Sequence, residues 1–315
     1  MFEVPEQGKL ARGWIPTEET YLGFPQKIPI IYARGKKPGP KLAILSTIHG
    51  DEINGVHIIH QLAQQVNPTE LSGDLLMFPV INMPAFQIQS RYLPDRRDMN
   101  RLFPGREDGS EGSRLAFLLW ENFLSNCDAG IDLHSASYNR WNYPHLRGNM
   151  RLERVRYLAK YFGAPVTMHS QGVLGSLRRE ASRRGIPFLL FEAGQVNRFE
   201  QDVAQIGLEG IWNVMKAMEM IKKRPASVDK TPPSKKYYNK SHWIRAESGG
   251  LFIAFKRPGD KVKKKEVMGE VVSLLGKKKS DVLSDVAGQI LGFNLHPQVV
   301  PGRALFHVCT DMESL

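Results

Sequence analysis

Cysteine is nearly absent: Cys127 and Cys309 are the only two in 315 residues. They lie far apart and form no CxxC pair, which excludes a disulfide framework and a thiolate metal site and leaves two buried, inert thiols. Long apolar runs are missing as well. The opening MFEVPEQGKLARGWIP has no continuous apolar segment of the kind a signal peptide needs, and no uncharged stretch reaches membrane-spanning length. The expectation is a soluble, cytoplasmic protein with no membrane partner. What the chain does have is 42% hydrophobic residues, enough for at least one large core, and a length that suggests two domains. Oligomeric state is not readable, and a homo-oligomer is allowed.

Acidic residues are in deficit, 32 against 43 basic ones, giving a net charge of +11 and a pI near 9.6. Much of the excess falls late, in Lys222, Lys223 and Arg224, Lys235 and Lys236, Lys263 to Lys265, and Lys277 to Lys279. These short clusters are interleaved with proline, glycine and turn residues rather than set on one helix with aromatic neighbours. They read as a solvated surface, and no nucleic-acid partner is expected. A separate group, Arg91, Arg96, Arg97, Arg101 and Arg106, falls among the residues that carry chemistry and fits an anionic small substrate.

Between about residues 28 and 220, strand-like apolar runs alternate with helix-like periodic segments. IPIIYARG, KLAILSTI, DLLMFPVIN, AGIDLHS and PFLLFEAG read as strands, several apolar on both faces and so central in a largely parallel sheet. INGVHIIHQLAQQV, SRLAFLLWENFLSN, RLERVRYLAKYFG and DVAQIGLEGIWNVMKAMEMIKK have helical spacing. Such alternation predicts a layered α/β domain over residues 1–223. Residues 224–240, rich in Pro, Lys and Ser, read as a linker, and residues 241–315, with short strand-like segments and turn signals, as a small all-β module.

The most informative stretch is residues 42–56, LAILSTIHGDEINGV, where an apolar strand runs into His49 and Glu52 at the mouth of a helix. An HxxE pair alone is a weak signal. It sharpens here because Gly50 and Gly55 frame it, relaxing the backbone at the turn, and because a second apolar run ends at His134. Two imidazoles and a carboxylate, each delivered where a buried element breaks, make the ligand set of a catalytic zinc with one coordination position open. Asp132, in the same DLHS run, could orient His134 or make a buried structural hydrogen bond. Hydrolysis at such a centre still needs a base. Glu192 ends an almost wholly apolar strand, where partial desolvation would raise its pKa into a useful range; its bland alternative is a helix-start or surface-turn carboxylate. Asn100 and Arg101 could hold a substrate carboxylate, and Arg91 or Arg97 could face an oxyanion, against the alternative of a loop held by surface ion pairs. His57 and His60 read as ordinary helix residues beside a buried stripe of Val56, Ile59 and Ala63. His145 and His169 are unassigned.

HGDE, DLHS, SRYLPDRRDMNRLFPG and FEAG occur in the order and approximate spacing of the succinylglutamate desuccinylase/aspartoacylase family, a branch of the zinc carboxypeptidase superfamily, and the resemblance spans most of residues 28–310. It implies a three-layer zinc-carboxypeptidase-like α/β domain with a mixed, mainly parallel sheet. It further implies one Zn2+ per chain on His49, Glu52 and His134, with Glu192 as general base, Asn100 and Arg101 on the substrate carboxylate, and Arg91 on the scissile carbonyl. The 91–100 loop is longer than in aspartoacylases proper, which leaves Arg91 and Arg97 in competition. Arg178 is the counterpart of a further basic contact, beside Arg179, Arg183 and Arg184. The segment SYNRWNYPHLRG resembles the broader deacylase branch.

The terminal module resembles the biotinyl/lipoyl carrier fold, a barrel-sandwich, through GGLF, GDKVKKKEVMGEV, SDVAGQI and VVPGRALFHV. Its hairpin tip, LLGKKKSDV, lacks the neighbours of a modified lysine, so Lys277 and Lys278 are expected to stay unmodified and the module to be structural or a lid. The leading expectation is a zinc-dependent amidohydrolase that deacylates an N-acyl amino acid or related small carboxylate. A zinc carboxypeptidase acting on peptides is the alternative, and a basic nucleic-acid-binding protein a third.

Overall fold

A computed structural model describes residues 2–19, 23–225 and 234–315. Of the expected linker, 226–233 lies outside the described residues. The chain opens with an antiparallel pair, β1 (Lys9–Glu19) and β2 (Pro25–Arg34), then runs β3 (Lys37–Ser46), α1 (Asn54–Gln65), β4 (Ser72–Phe78), α2 (Met83–Gln87), α3 (Glu111–Asn122), β5 (Ala129–Ala136), β6 (Arg140–Gly148), α4 (Glu153–Phe162), β7 (Val166–His169), α5 (Leu177–Arg183), β8 (Phe188–Gln195) and α6 (Gln201–Ala217). Strands alone follow: β9 (Lys236–Arg245), β10 (Gly250–Ala254), β11 (Lys261–Val262), β12 (Val267–Val272), β13 (Lys278–Leu283), β14 (Gly288–Asn294), β15 (Gln298–Val299) and β16 (Ala304–Ser314).

The apolar runs at β2, β3, β4, β5 and β8 form the strands their pattern predicts, and β5 is buried at every position, as a strand covered on both faces must be. Helices α1, α4 and α6 pack one apolar cluster against the sheet, and α3 and α5 pack a second around Trp120, giving three layers. In α1 the buried stripe is Ile58, Ile59, Leu62 and Ala63. Val56, expected in that stripe, is only half-buried because the sheet-facing arc is centred one residue further on.

The main sheet has 12 strands, ordered β1-β2-β4-β3-β5-β8-β6-β7-β9-β16-β14-β11. It is mixed: its longest parallel run is the central β4-β3-β5-β8, and a shorter one, β6-β7-β9, lies beyond an antiparallel β8–β6 pairing. The margins β1, β2, β14 and β16 pair antiparallel, because strands joined without a helical crossover return alongside one another. Strands β1, β6 and β7 and helix α5 were not anticipated.

The terminal strands continue this sheet. Strand β7 pairs with β9, β9 with β16, β16 with β14, and β14 returns to β6 through Asn142, Trp141 and Arg140. Because β6 also pairs with β7, five strands close into a ring grown from the flank of the catalytic sheet. A separate four-stranded sheet, β13-β12-β10-β15, lies beyond it. Among the described residues, no helix is long and apolar enough to cross a membrane.

Candidate metal centre and cavity

In a parallel sheet, ligand-facing residues gather at the carboxyl ends of the strands. Here β3 delivers His49 and Glu52, β5 delivers His134, and β8 delivers Glu192 directly beside His134 in register. Thr47, the residue that turns β3 out of the sheet, has φ 60, and its hydroxyl donates to the Pro79 carbonyl at 3.1 Å, a local contact that holds an otherwise unfavourable backbone. The glycines are needed for a different reason from the one expected. Neither adopts a positive φ. A Cβ on Gly50 would stand 2.1 Å from the Ala85 carbonyl carbon, and one on Gly55 2.2 Å from Ser46 Oγ, so both permit close packing rather than a turn.

One Nδ1 or carboxylate oxygen from each of His49, Glu52 and His134 lies within 4.8 Å of the others, and all three side chains are buried. Glu52 bridges the histidines, with Oε1 2.7 Å from His49 Nδ1 and Oε2 2.7 Å from His134 Nδ1. Oε2 also accepts the Ser135 amide at 3.1 Å. Each imidazole has a second carboxylate behind it: Asp132 Oδ2 lies 2.8 Å from His134 Nε2, and Asp98 Oδ1 lies 3.2 Å from His49 Nε2.

An imidazole with carboxylates on both nitrogens requires positive charge on both sides. Burial pushes the His49 pKa down, but Glu52 and Asp98 outweigh it and the net direction is up. For His134 burial also pushes down, and Asp132 with Glu52 raises it well above the ordinary value. Burial would raise the Glu52 pKa, yet the two histidines hold it below the usual carboxylate range. Two protons, or one divalent cation between the Nδ1 atoms and Glu52, satisfy this set. With both Nε2–H groups directed to aspartates, the Nδ1 lone pairs are free to ligate, which is the arrangement that orients metal-binding histidines. The residues therefore fit a metal ion, and two nitrogens with one oxygen suit zinc.

Around this cluster lies a cavity of about 290 Å³. Arg91 reaches its centre: Nη1 is 3.2 Å from His49 Nδ1 and 3.4 Å from Glu52 Oε1, and Nη2 donates to Asp98 Oδ2 at 2.9 Å. Arg97 does not line the cavity; its side chain is 55% exposed and sits 3.5 Å from Asp95. Asn100 and Arg101 both line the cavity. Asn100 Oδ1 accepts the Leu177 amide at 3.0 Å, and Arg101 Nη1 lies 3.7 Å from Asp98. Glu192 lines the cavity and accepts from Asn142 Nδ2 at 3.0 Å. Arg178 is buried in its wall, donating to Ser170 Oγ at 3.0 Å. Arg179 and Arg183 face away and line a separate surface groove.

Several residues at the cavity were not singled out by sequence: Asp98, Asn142, Arg140, Arg147, Trp243 and His307. Asp98 stands inside a quoted motif and was legible as the N-cap of the 99–101 turn, whose Asn100 amide it accepts at 2.9 Å. Trp243 and His307 carry no local signal, since only strand pairing far along the chain brings them here. His57 packs against Phe199, and His145 is buried behind Arg147.

The family model of the succinylglutamate desuccinylase/aspartoacylase catalytic domain matches residues 38–218, more than half of the chain. The chain is 24% identical over 256 residues to the N-alpha-acetyl-L-2,4-diaminobutyric acid deacetylase of Halomonas elongata, covering 78% of this chain and 74% of that one. It is 31% identical over 139 residues to a probable aspartoacylase of Prochlorococcus marinus, covering 42% and 46%. Among solved structures, a succinylglutamate desuccinylase/aspartoacylase from Rhodobacter sphaeroides superposes with a TM-score of 0.84 at 26% identity, covering 99% and 98% of the two chains. The product-bound ectoine utilization protein EutE (DoeB) from Ruegeria pomeroyi shares the fold with a TM-score of 0.84 at 22% identity, covering 98% and 97%. The chain belongs to the succinylglutamate desuccinylase/aspartoacylase family.

Proposed function

We propose that this protein is a zinc-dependent deacylase that hydrolyses the amide of an N-acylated amino acid or a similar small carboxylate. It is a hydrolase of non-peptide carbon–nitrogen bonds, as its relatives named deacetylase and aspartoacylase are. The observation that carries the metal reading is the buried His49–Glu52–His134 set, with an aspartate behind each imidazole. When bound there, zinc would acidify water and polarise the scissile carbonyl. The chain's own residues do the rest.

Glu192, beside His134 and held by Asn142, takes a proton from the attacking water as its oxygen adds to the carbonyl carbon. It returns that proton to the departing nitrogen as the carbon–nitrogen bond breaks. Arg91, anchored by Asp98, faces the oxygen on which negative charge gathers. Arg101, whose half-exposed side chain lines the cavity, takes the substrate carboxylate in the bidentate manner that a planar donor pair allows, with Asn100 beside it on the same cavity wall. The 241–315 strands we read as a lipoyl-like module with a structural part in the site rather than as a carrier of a modified lysine.

The test is Glu192→Gln. The variant is expected to retain stoichiometric metal by elemental analysis while turnover of N-acetyl amino acids drops by roughly 10²–10⁴-fold, the usual worth of a general base. Undiminished turnover would remove Glu192 from the mechanism, and a parent enzyme that released amino acid from dipeptides faster than from N-acetyl amino acids would favour the peptidase alternative.

A further inference from the structure

The end strands of the two sheets differ in how they meet solvent. Strands β11 and β15 have two residues each, and β13 carries Lys278 and Lys279. Short strands and lysines are how sheet edges are kept from pairing with other chains. Strand β1 is built otherwise. It has 11 residues, pairs among the described residues with β2 alone, and is uncharged at its middle, Gly13, Trp14 and Ile15. Pro16 withholds one backbone donor from the strand and leaves the rest.

Successive side chains of a strand point to opposite faces. Ile15 is buried in the apolar cluster around Trp120, whereas Trp14 turns the other way and is 55% exposed. With Phe24, Pro25, Lys27, Met83 and Gln87 it lines a surface groove of about 480 Å³, and Phe24 is 71% exposed. Aromatic rings left in water beside an open strand edge are the composition of an interface core. Charge then gives the contact a direction. Lys9 and Arg12 precede Trp14, Glu18 and Glu19 follow it, and all four are exposed; Glu18 also meets Arg114 of α3 at 2.8 Å. When a two-fold axis near Trp14 turns the strand end for end, its basic half meets the acidic half of its copy. A parallel copy would set like charges together. An isologous interface has to be self-complementary in this way.

We propose that β1 is the surface through which two copies of this chain associate, their β1 strands pairing antiparallel across a two-fold axis near Trp14 and joining the two large sheets into one. Trp14 of each copy closes over the groove of the other, and Lys9 and Arg12 of each face Glu18 and Glu19 of the other. The occupant is a second copy rather than an unrelated strand because the charge order of β1 matches its own reverse. Strand β1 stands at the opposite end of the sheet from the ring of terminal strands, so pairing there leaves both cavities clear.

The experiment is sedimentation equilibrium on the full-length protein across roughly 1–100 μM, the range in which a modest interface changes its occupancy. The parent is expected to be dimeric at the upper end. Trp14→Glu should weaken association by at least about thirtyfold, the usual worth of a central tryptophan. Lys9→Glu and Glu19→Lys should each weaken it by about three- to tenfold, since two-fold symmetry counts every lost surface pair twice. The double variant Lys9→Glu/Glu19→Lys should recover the parent's affinity, which a folding defect would not do. Hydrogen exchange at the two ends of the concentration range should show β1 amides slowing as the dimer fills, because new backbone partners cover that edge. A parent that stays monomeric throughout, a dimer indifferent to Trp14→Glu, or β1 exchange independent of concentration each overturns the proposal. The first of these outcomes would assign the edge to a strand from a different protein.

Discussion

On the wall formed by the ends of β3 and β5 and by the 91–101 loop, each guanidinium and imidazole has a carboxylate within 3.7 Å: His49 and His134 share Glu52, and Asp98 serves His49, Arg91 and Arg101. On the facing wall, formed by β6, α5 and the terminal strands, Arg140, Arg147 and Arg178 rest on an indole, an imidazole and a hydroxyl. The first wall is neutralised from within and needs only a cation to complete it. The second has no carboxylate in ion-pair contact with its guanidiniums, although Glu192 lines the same cavity and, with Asp132, acts on Arg178 from a distance. Buried charges in pairs fix geometry, and buried charges without pairs wait for a partner.

The comparison breaks most severely at the paired wall. His134→Ala removes one candidate ligand and leaves Glu52 with a single imidazole; metal is expected to be lost on dialysis, and activity to drop by roughly 10³-fold, about the several kcal/mol a metal contributes as a Lewis acid, read by elemental analysis and turnover together. Next in size, Asp98→Asn and Asp132→Asn should each weaken metal binding by roughly 10–100-fold, measured by chelator competition. Asp98→Asn should in addition raise KM, because the same carboxylate anchors Arg91 and Arg101, and Asp132→Asn should not.

The smallest effect belongs to the unpaired wall and concerns pH. His307 has a folded pKa of about 3 against an ordinary 6.5, so the unfolded chain takes up this proton first. Stability attributable to a neutral His307 is complete above about pH 6.5 and is lost as pH falls from there toward 3. The slope is at most about 1.4 kcal/mol per pH unit. His307→Phe keeps a ring on Trp243 without the titration. Its Tm should therefore decline less between pH 6 and pH 4 than that of the parent, and equal declines would show that His307 does not titrate on unfolding.

How much was legible follows from where each signal lives. His49, Glu52, His134 and Glu192 were readable because each interrupts or ends an apolar run, and a polar residue at the end of a fully buried strand is conspicuous. The central strands were readable for the same reason. Strand β6 was not: RWNYPHLRG buries Asn142 and His145, so its polarity resembles that of a loop. Strand β7 has only four residues, and β9, KYYNKSHWIR, buries only Ile244. Arg91 and Arg97 could not be separated by spacing alone, since the difference is whether the side chain meets Asp98 or Asp95. Trp243 and His307 reach the cavity through pairings between residues more than sixty positions apart, a distance over which no local pattern carries information.

The ring of β6, β7, β9, β16 and β14 has a practical corollary for anyone cutting the gene. A fragment ending near residue 223 would strip β7 of β9 and β6 of β14 and leave raw backbone amides and carbonyls along the flank of the catalytic sheet, a template for clumping rather than a smaller enzyme. Excision is therefore a poor route to a minimal version; shortening the β12–β13 hairpin, which lies in the outlying sheet, trims the molecule without opening that seam.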